Sequence, residues 1–300
     1  MLFTKYHGTG NDFVMIEDLD DRLRLPPELI ARICDRHRGV GADGVIRIVR
    51  GAGPDAPGEV ADFFMDYSNA DGNVAEMCGN GIRCLAVHVF DRGLTDRSEI
   101  DVWTRAGLKR LLIEEEDGVA ARVTVDMGIP SLERKAIPMT GEPTDTFVEQ
   151  PLAVDGLRLQ ATAVSMGNPH CVLFVEPVVD LQSMDVARLG RIVEHRPEFP
   201  LGANVEFAKV VDGRVLVRVW ERGSGLTMAC GTGACASLVA SALAGRTGRE
   251  AEVEFPGGVL EVAWRRDDHV VLTGPAVKVF EGRIDEAWLR PGSRPAGTAS

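Results

Sequence analysis

Residues 78–88 read CGNGIRCLAVH, and residues 230–240 read CGTGACASLVA. Both stretches have the form Cys-Gly-x-Gly followed by an apolar, helix-like run. Alanine, leucine and valine fall on most faces of these runs, which predicts helices that are buried all round rather than half-exposed. The two leading cysteines, Cys78 and Cys230, lie 152 positions apart in a chain of 300 residues. The sequence therefore predicts two copies of one structural plan.

Shorter pieces repeat in the same order and at a similar spacing. The repeated pairs are Gly10-Asn11 with Gly167-Asn168, His37-Arg38 with His195-Arg196, and Gly41-Ala42 with Gly202-Ala203. A β-rich segment follows each Cys-Gly helix, with turn signals at Asp117-Gly118 in the first copy and at Gly257-Gly258 in the second. We expect an α+β fold of two pseudo-symmetric duplicated domains, each a mainly antiparallel sheet or barrel wrapped around a central helix.

The domain limits follow from the same repeat. We expect an N-terminal domain over 1–127 and a C-terminal domain over 128–276, with 277–300 returning to the first domain through VKVFEG. The final PGSRPAGTAS is small and rich in proline and glycine, so we expect it to be disordered.

Composition and charge exclude several classes of protein. A net charge of −12 without a cluster of lysine and arginine argues against a nucleic-acid partner, while a small zwitterionic ligand remains compatible. The N-terminus lacks a basic segment followed by an apolar run, and no stretch approaches the roughly 18 apolar residues that span a bilayer. We expect a cytoplasmic protein whose six cysteines stay reduced.

A cysteine immediately before a helix has unusual chemistry. The first-turn N–H groups and the helix dipole favour thiolate, and the glycines let a ligand approach those N–H groups closely. Each half thus combines a thiol with an anion cradle. Two such elements facing one cleft suit racemisation, in which one thiolate removes a proton from a carbon and the opposite thiol returns one. Cys78 and Cys230 are the expected pair.

Other interpretations of these cysteines are open. A cysteine before glycine can be a small buried filler. Metal binding is disfavoured because neither local pair has C-x-x-C spacing, and we expect no metal. Cys84 and Cys235 are predicted to be helix core, and Cys34 and Cys171 packing residues. No nucleotide-binding fingerprint occurs, and none of the five lysines lies in the paired motifs to form a pyridoxal Schiff base, so we expect no cofactor.

The longer motifs resemble the diaminopimelate epimerase family over about residues 3–284. They are HGTGNDFV, SNADGNVAEMCGNGIRC, SMGNPHC, ERGSGLTMACGTGACA and GPAVKVFEG. The resemblance implies cofactor-independent interconversion of LL- and meso-2,6-diaminopimelate, on the route to lysine and peptidoglycan precursors. It also implies an active site between two domains that close on substrate, and a homodimer.

The resemblance further implies roles for individual residues. Cys78 and Cys230 match the catalytic pair, and His170 and Glu221 match groups that tune the catalytic thiols. The residues that match substrate-binding positions are Asn11, Asn69, Gly79, Asn80, Asn168, Asn204, Glu221, Arg222, Gly231 and Thr232. Asparagine amides can both donate to and accept from a zwitterion, and an arginine fork suits a carboxylate.

One position departs from the family pattern. Gly44 stands where some members carry a glutamine. Glycine has no side chain, so a side-chain contact to the distal end of a substrate cannot come from this position. A related cysteine-pair enzyme, such as a proline racemase, remains an alternative, because specificity is a difference of affinities that sequence conveys poorly. A thiol redox or metal-binding protein is a second alternative from a different class.

Overall fold

The structure is a computed structural model that describes residues 1–53, 56 and 60–289. Its contacts divide the chain into two compact units. The first unit comprises Met1–Gly8, Asp12–Val123 and the described residues from Ala276 onward, and the second comprises Thr9–Asn11 and Thr124–Pro275.

Strands make up most of both units. The strands of the first unit are β1 Leu2–Gly8, β2 Asn11–Glu17, β3 Gly44–Arg50, β4 Phe63–Asn69, β5 Glu99–Thr104, β6 Gly107–Glu116, β7 Val119–Gly128 and, late in the chain, β17 Val277–Arg283. Those of the second are β8 Gln150–Val154, β9 Leu157–Ser165, β10 Pro169–Phe174, β11 Asn204–Val211, β12 Arg214–Glu221, β13 Gly225–Thr227, β14 Glu250–Phe255, β15 Gly258–Trp264 and β16 Val270–Gly274. β7 runs through the point where the units divide, so the sequence-based limits 1–127 and 128–276 stay a prediction. The tail 291–300 lies outside the described residues.

The helices are few. They are α1 Pro27–Cys34, α2 Gly79–Asp91 and α5 Glu286–Leu289 in the first unit, and α3 Val186–Glu194 and α4 Gly231–Leu243 in the second, which also has a short 3-10 turn at Arg134–Ala136. In the described part of the chain, no helix is long and apolar enough to cross a membrane.

Both units use one order of strand pairings. In the first, β2 to β6 pair successively as parallel, antiparallel, parallel and antiparallel neighbours. In the second, β10, β11, β12, β14 and β15 pair in the same succession. The pairings of β1 with β17 and of β9 with β10 are antiparallel. The predicted duplicated, mainly antiparallel α+β fold is confirmed.

Strand register makes single residues of the two units equivalent. Phe13 lies opposite Gly44 across the parallel pair of the first unit, and His170 lies opposite Asn204 across that of the second. Gly44 in turn lies opposite Asn69. Counting along these registers gives the equivalent positions, with the first unit named first: Phe13 and His170, Gly44 and Asn204, Ile46 and Glu206, Asn69 and Glu221.

The Cys-Gly helices form the centres of their units. α2 is buried from Gly79 to Val89 and packs on β1, β3, β6 and β17. α4 is buried over most of its length and contacts β9 to β12 and β14 to β16. Central helices of this kind are what the all-round apolar composition predicts.

The predicted turns are close to the observed ones. Asp117-Gly118 joins β6 to β7 with both residues at positive φ, as a tight hairpin requires. The turn predicted at Gly257-Gly258 consists of Pro256 and Gly257, one residue earlier, because Gly258 already pairs with Phe255 in the ladder.

Candidate active site

The two cysteines cap their helices in the same way. Cys78 has φ −137° and ψ 118°, and Cys230 has φ −132° and ψ 121°, so each is extended immediately before its helix begins. Each sulfur accepts a hydrogen bond of 3.4 Å from the N–H three residues on, that of Gly81 or Gly233. The predicted helix-start placement is confirmed at both cysteines.

The glycines at these helix starts allow close approach from a neighbouring strand. A Cβ on Gly81 would lie 2.6 Å from Cδ1 of Ile46, and one on Gly233 would lie 2.7 Å from Oε1 of Glu206. Real Cβ atoms essentially never come so close. Ile46 and Glu206, which are equivalent by strand register, thus lie against equivalent glycines, Gly81 and Gly233.

Cys230 lies in an acidic, buried environment. Its side chain is 5 % exposed, it hydrogen bonds to the Glu221 carboxylate, and its sulfur is 3.4 Å from Oγ1 of Thr232. Burial, and then the negative charges of Glu221 and Glu206, raise the pKa of the Cys230 thiol well above its ordinary value. The helix terminus alone would favour thiolate, so at this cysteine burial and two carboxylates outweigh it.

Cys78 has a different environment. Cys78 is half-buried, and the fifth residue of α2 is the fully buried Arg83. Arg83 donates 3.0 Å to the Gly79 carbonyl and 2.9 Å to Oδ1 of Asn80. A buried arginine thus stands five residues after Cys78, whereas two carboxylates act on Cys230. The two thiols are equivalent in backbone and differ in their surroundings.

Four predicted residues of the second unit meet in one hydrogen-bonded chain. His170 Nε2 lies 3.0 Å from Oδ1 of Asn168, and Asn168 Nδ2 donates 3.2 Å to Oγ1 of Thr232, which contacts Cys230. The other ring nitrogen of His170, Nδ1, lies 2.7 Å from Oε1 of Glu206. The structure brings these residues together as the motifs imply.

The side chains of Glu221 and Arg222, at the end of β12, have different environments. Glu221 turns inward, where burial raises the pKa of its carboxyl group while hydrogen bonds from Thr227 and Cys230 oppose the rise. Thr227 Oγ1 donates 2.5 Å to Glu221. Arg222 is exposed and donates 3.2 Å to the carbonyl of Leu201. A carboxylate acceptor and an exposed fork are thus adjacent.

Asn204 has a structural task in the described chain. Its Nδ2 donates 2.9 Å to the carbonyl of Pro169, and its Oδ1 accepts 2.9 Å from the backbone N–H of Arg222. The side chain is buried and links the start of β10 to the end of β12. Its assignment to substrate binding stays a prediction.

Asn11 and Asn69 lie in different units. Asn11 ends the segment Thr9–Asn11, which groups with the second unit, where the neighbouring Gly10 packs against Met228. Asn69 closes β4 in the first unit, and its Oδ1 accepts 2.8 Å from the hydroxyl of Tyr67.

Gly44 is crowded rather than open. A Cβ there would lie 2.6 Å from the carbonyl oxygen of Ser68 and 2.6 Å from the ring of Tyr67. The space beside Gly44 is therefore filled by Tyr67, whose hydroxyl holds Asn69. Tyr67 is not among the residues that the motifs predict. The signal that could have found it is that it is an aromatic residue two positions before Asn69.

Glu206 is the other residue that sequence reasoning missed. It lies within NVEFAKV, and a glutamate inside an apolar strand that is expected to be buried is the signal that could have found it. The remaining cysteines behave as predicted: Cys34, Cys84, Cys171 and Cys235 are buried and lie outside any disulfide. Burial raises the pKa of both Cys34 and Cys84 to about 12.

Solved structures share this fold at low sequence identity. A probable proline racemase from Agrobacterium radiobacter matches with a TM-score of 0.68 and 15 % identity, covering 95 % of this chain and 93 % of the other. A hydroxyproline epimerase from Agrobacterium vitis matches with a TM-score of 0.66 and 16 % identity, covering 94 % and 91 %. These similarities establish the fold alone.

Sequence relatives are much closer. The family model described as diaminopimelate epimerase matches residues 3–133 and 162–279. The diaminopimelate epimerase of Acetivibrio thermocellus is 46 % identical over 287 residues, covering 95 % of this chain and 99 % of the relative. That of Methanococcus maripaludis is 43 % identical, covering 95 % and 100 %. The chain belongs to the diaminopimelate epimerase family.

Proposed function

We propose that this chain interconverts LL- and meso-2,6-diaminopimelate without a cofactor, using Cys78 and Cys230 as its acid and base. One cysteine, as thiolate, takes the α-proton, and the other, as thiol, gives its proton to the opposite face of the carbanion. Each turnover thus leaves one thiol and one thiolate with their roles exchanged. The reverse reaction uses the same pair.

One observation carries this proposal: two cysteines cap equivalent helices, and two carboxylates raise the pKa of one of them, Cys230. A two-base reaction needs one charged and one neutral thiol at the same time. The carboxylates of Glu221 and Glu206 favour the protonated form of Cys230, which leaves Cys78 as the partner that carries the charge. The names of relatives at 43 and 46 % identity identify the substrate.

Substrate recognition follows from the polar groups around each helix start. A carboxylate beside the reacting carbon would accept N–H groups from the first turns of α2 and α4, where Gly79, Asn80, Gly231 and Thr232 lie. Glu221 would accept from the substrate ammonium. We propose that Asn11, Asn69, Asn168, Asn204 and Arg222 complete the contacts to the two amino-acid ends, and that His170 and Glu221 tune Cys230.

The test is an isomerisation assay in deuterated buffer with purified protein and no added cofactor. We expect LL-diaminopimelate to yield the meso isomer, with deuterium at the α-carbon of the product. Proline and glutamate serve as comparison substrates, and metal analysis of the same sample tests the metal-binding alternative. Turnover of proline but not diaminopimelate would contradict the assignment in favour of a racemase, and stoichiometric zinc without isomerisation would contradict it altogether.

We propose that the enzyme is a cytoplasmic homodimer. None of the six cysteines, all of which lie in the described chain, forms a disulfide, as is usual in a reducing compartment. β17 exposes Val277, Val279 and Phe280, the last at 45 %, and a row of large apolar side chains on a strand is typical of a surface that another chain covers. Sedimentation of the wild type and of Phe280→Asp tests the dimer. A wild-type monomer at micromolar concentration would contradict it.

A further inference from the structure

Glu206 has a fully buried carboxylate, and only one of its two oxygens has a hydrogen-bond partner among the described residues. Its side chain is fully buried on β11, where its Oε1 meets Nδ1 of His170. Among the described residues, its Oε2 has no hydrogen-bond partner. A buried, unsatisfied anionic oxygen is costly. Burial accordingly raises the pKa of Glu206, so a proton shared with His170 stabilises the pair.

The hydrogen bonds leading away from Glu206 have a direction. Asn168 uses Nδ2 to donate to Thr232, so its Oδ1 faces His170 as an acceptor and Nε2 of His170 must donate. Both ring nitrogens then face oxygen atoms, and the bonds are complete when one further proton lies between Nδ1 and Glu206.

The same direction continues to the sulfur. Thr232 accepts from Asn168, so its own hydroxyl proton can point to Cys230, 3.4 Å away. The Cys230 thiol proton can then point to the carboxylate of Glu221, whose charge acts on this cysteine. Sγ of Cys230 therefore receives two donors, from Thr232 and from the Gly233 N–H. Those donors stabilise the sulfur once it has given up its proton.

The first unit lacks this arrangement. Ile46 holds the position of Glu206, and Phe13 holds that of His170. The chain of polar groups is thus a property of one cysteine and not of the fold. The titratable groups that face the network are His170, Cys171, Glu221 and Cys230.

We propose that Glu206 is a positioning residue for the reaction: through His170 it directs the hydrogen bonds that end on Cys230 toward the sulfur. This rests on the proposed function, because Cys230 acts there as an acid and base. Glu206 itself touches neither substrate nor the transferred proton. It fixes which nitrogen of His170 donates, and hence which way the Asn168 amide and the Thr232 hydroxyl point.

A double-mutant cycle tests the connection. Glu206→Gln keeps the shape of the side chain, but its amide can either donate to Nδ1 or accept from it, so the direction is no longer fixed. Thr232→Val removes the last donor of the chain and keeps its shape. We expect each variant to lower kcat about tenfold, the usual effect of losing one hydrogen bond to a charged group, with a small change in KM. If Glu206 acts through Thr232, the double variant is no slower than the slower single one.

Two matched variants control the cycle. Thr232→Ser retains the hydroxyl, so its kcat should exceed that of Thr232→Val. Glu254→Gln removes an exposed carboxylate of the same unit that pairs with Arg214, and should leave kcat unchanged. The proposal would be overturned if the losses in kcat of the two single variants multiplied in the double variant. It would also be overturned if the kcat of Glu206→Gln lay within twofold of the wild-type value.

A measurement without substrate separates this proposal from the assigned reaction. In protein labelled with ¹⁵N-histidine, the ring signals of His170 are those missing from His170→Gln. We expect a proton on Nε2 of His170 in the wild type between pH 6 and 9, and a mixture of tautomers in Glu206→Gln. An Nε2 of His170 without a proton in the wild type would overturn the proposal even if diaminopimelate is the substrate. A protonated Nε2 in a protein that does not isomerise diaminopimelate would instead contradict the assigned reaction.

Discussion

Ile46 and Glu206 occupy the same position in the two units, each against the glycine three residues after its cysteine. An apolar side chain in one copy is thus a carboxylate in the other. Because the backbone around both cysteines is alike, this difference gives the two thiols different surroundings.

The first prediction concerns thiol reactivity. Thiolate is the reactive form, and Cys230 is buried beside Glu206 and Glu221. We expect iodoacetamide at pH 7.5 to modify Cys78 at least about tenfold faster than Cys230. Mass spectrometry of the alkylated peptides measures both rates in one sample, with buried Cys34 as the unreactive control. Equal rates would show that the carboxylates do not govern Cys230.

The second prediction concerns pH. Burial raises the pKa of Glu221, and the hydroxyl of Thr227 holds it down. Thr227→Val should therefore raise that pKa, so that Glu221 binds a proton at higher pH and no longer accepts the substrate ammonium. The acid limb of kcat/KM should move to higher pH by about one unit, since a hydrogen bond to a charged group contributes roughly 1.5–3 kcal/mol.

Thr124→Val is the matched control for Thr227→Val, because it removes a hydroxyl that bonds to Thr273 on another part of the sheet. An acid limb that stays in place in Thr227→Val would mean that Glu221 does not act as the ammonium acceptor.

The third prediction concerns the position that departs from the family pattern. Gly44→Ala places a Cβ against the carbonyl of Ser68, which as backbone cannot move cheaply. We expect the free energy of unfolding to fall by about 1–3 kcal/mol, measured in urea. Gly248→Ala is the control, since its Cβ would meet nothing within 4 Å. If both variants are equally stable, Tyr67 does not fill the space beside Gly44.

The fourth prediction concerns a buried ion cluster in the first unit. Burial would raise the pKa of Asp18, but hydrogen bonds from Arg47 and from two backbone N–H groups hold it below its ordinary value. Arg47→Met leaves Asp18 buried without its cation, and should lower the free energy of unfolding at pH 7 by about 3–5 kcal/mol.

The sign of the pH dependence follows from the lowered pKa. The stability that Asp18 contributes is present above its unfolded pKa of about 4 and is lost as pH falls through the folded value. The difference between wild type and Arg47→Met should therefore shrink on acidification. The exposed Arg214→Met, which breaks surface pairs, should change little at either pH. A gap that widens in acid would contradict this account.

Much of the fold was accessible from the sequence because the duplicated signals are local. Cys78 and Cys230 precede glycines and apolar runs, and these features alone predict a helix start and a buried helix. The order of parallel and antiparallel neighbours was not accessible, since pairing β2 with β3 or β10 with β11 depends on contacts between distant segments.

The site was partly predictable for the same reason. Asn168, His170 and Thr232 stand in motifs, and the structure joins them in one hydrogen-bonded chain. Glu206 was missed because its significance depends on register: one strand pairing places it opposite a helix start that lies 24 residues later in the chain. The net effect on Cys230 was also hidden, since a helix dipole is evident from sequence and burial beside carboxylates is not.

We propose that Cys78 and Cys230 are the two bases of one epimerisation. The most direct test of this proposal follows the α-proton of LL-diaminopimelate by NMR in deuterated buffer with Cys78→Ala, Cys230→Ala and, as control, Cys34→Ala. We expect turnover to the meso isomer to fall by about 10²–10⁴-fold in each of the first two variants and to be retained in the control. A folded Cys78→Ala or Cys230→Ala enzyme with wild-type turnover would contradict it.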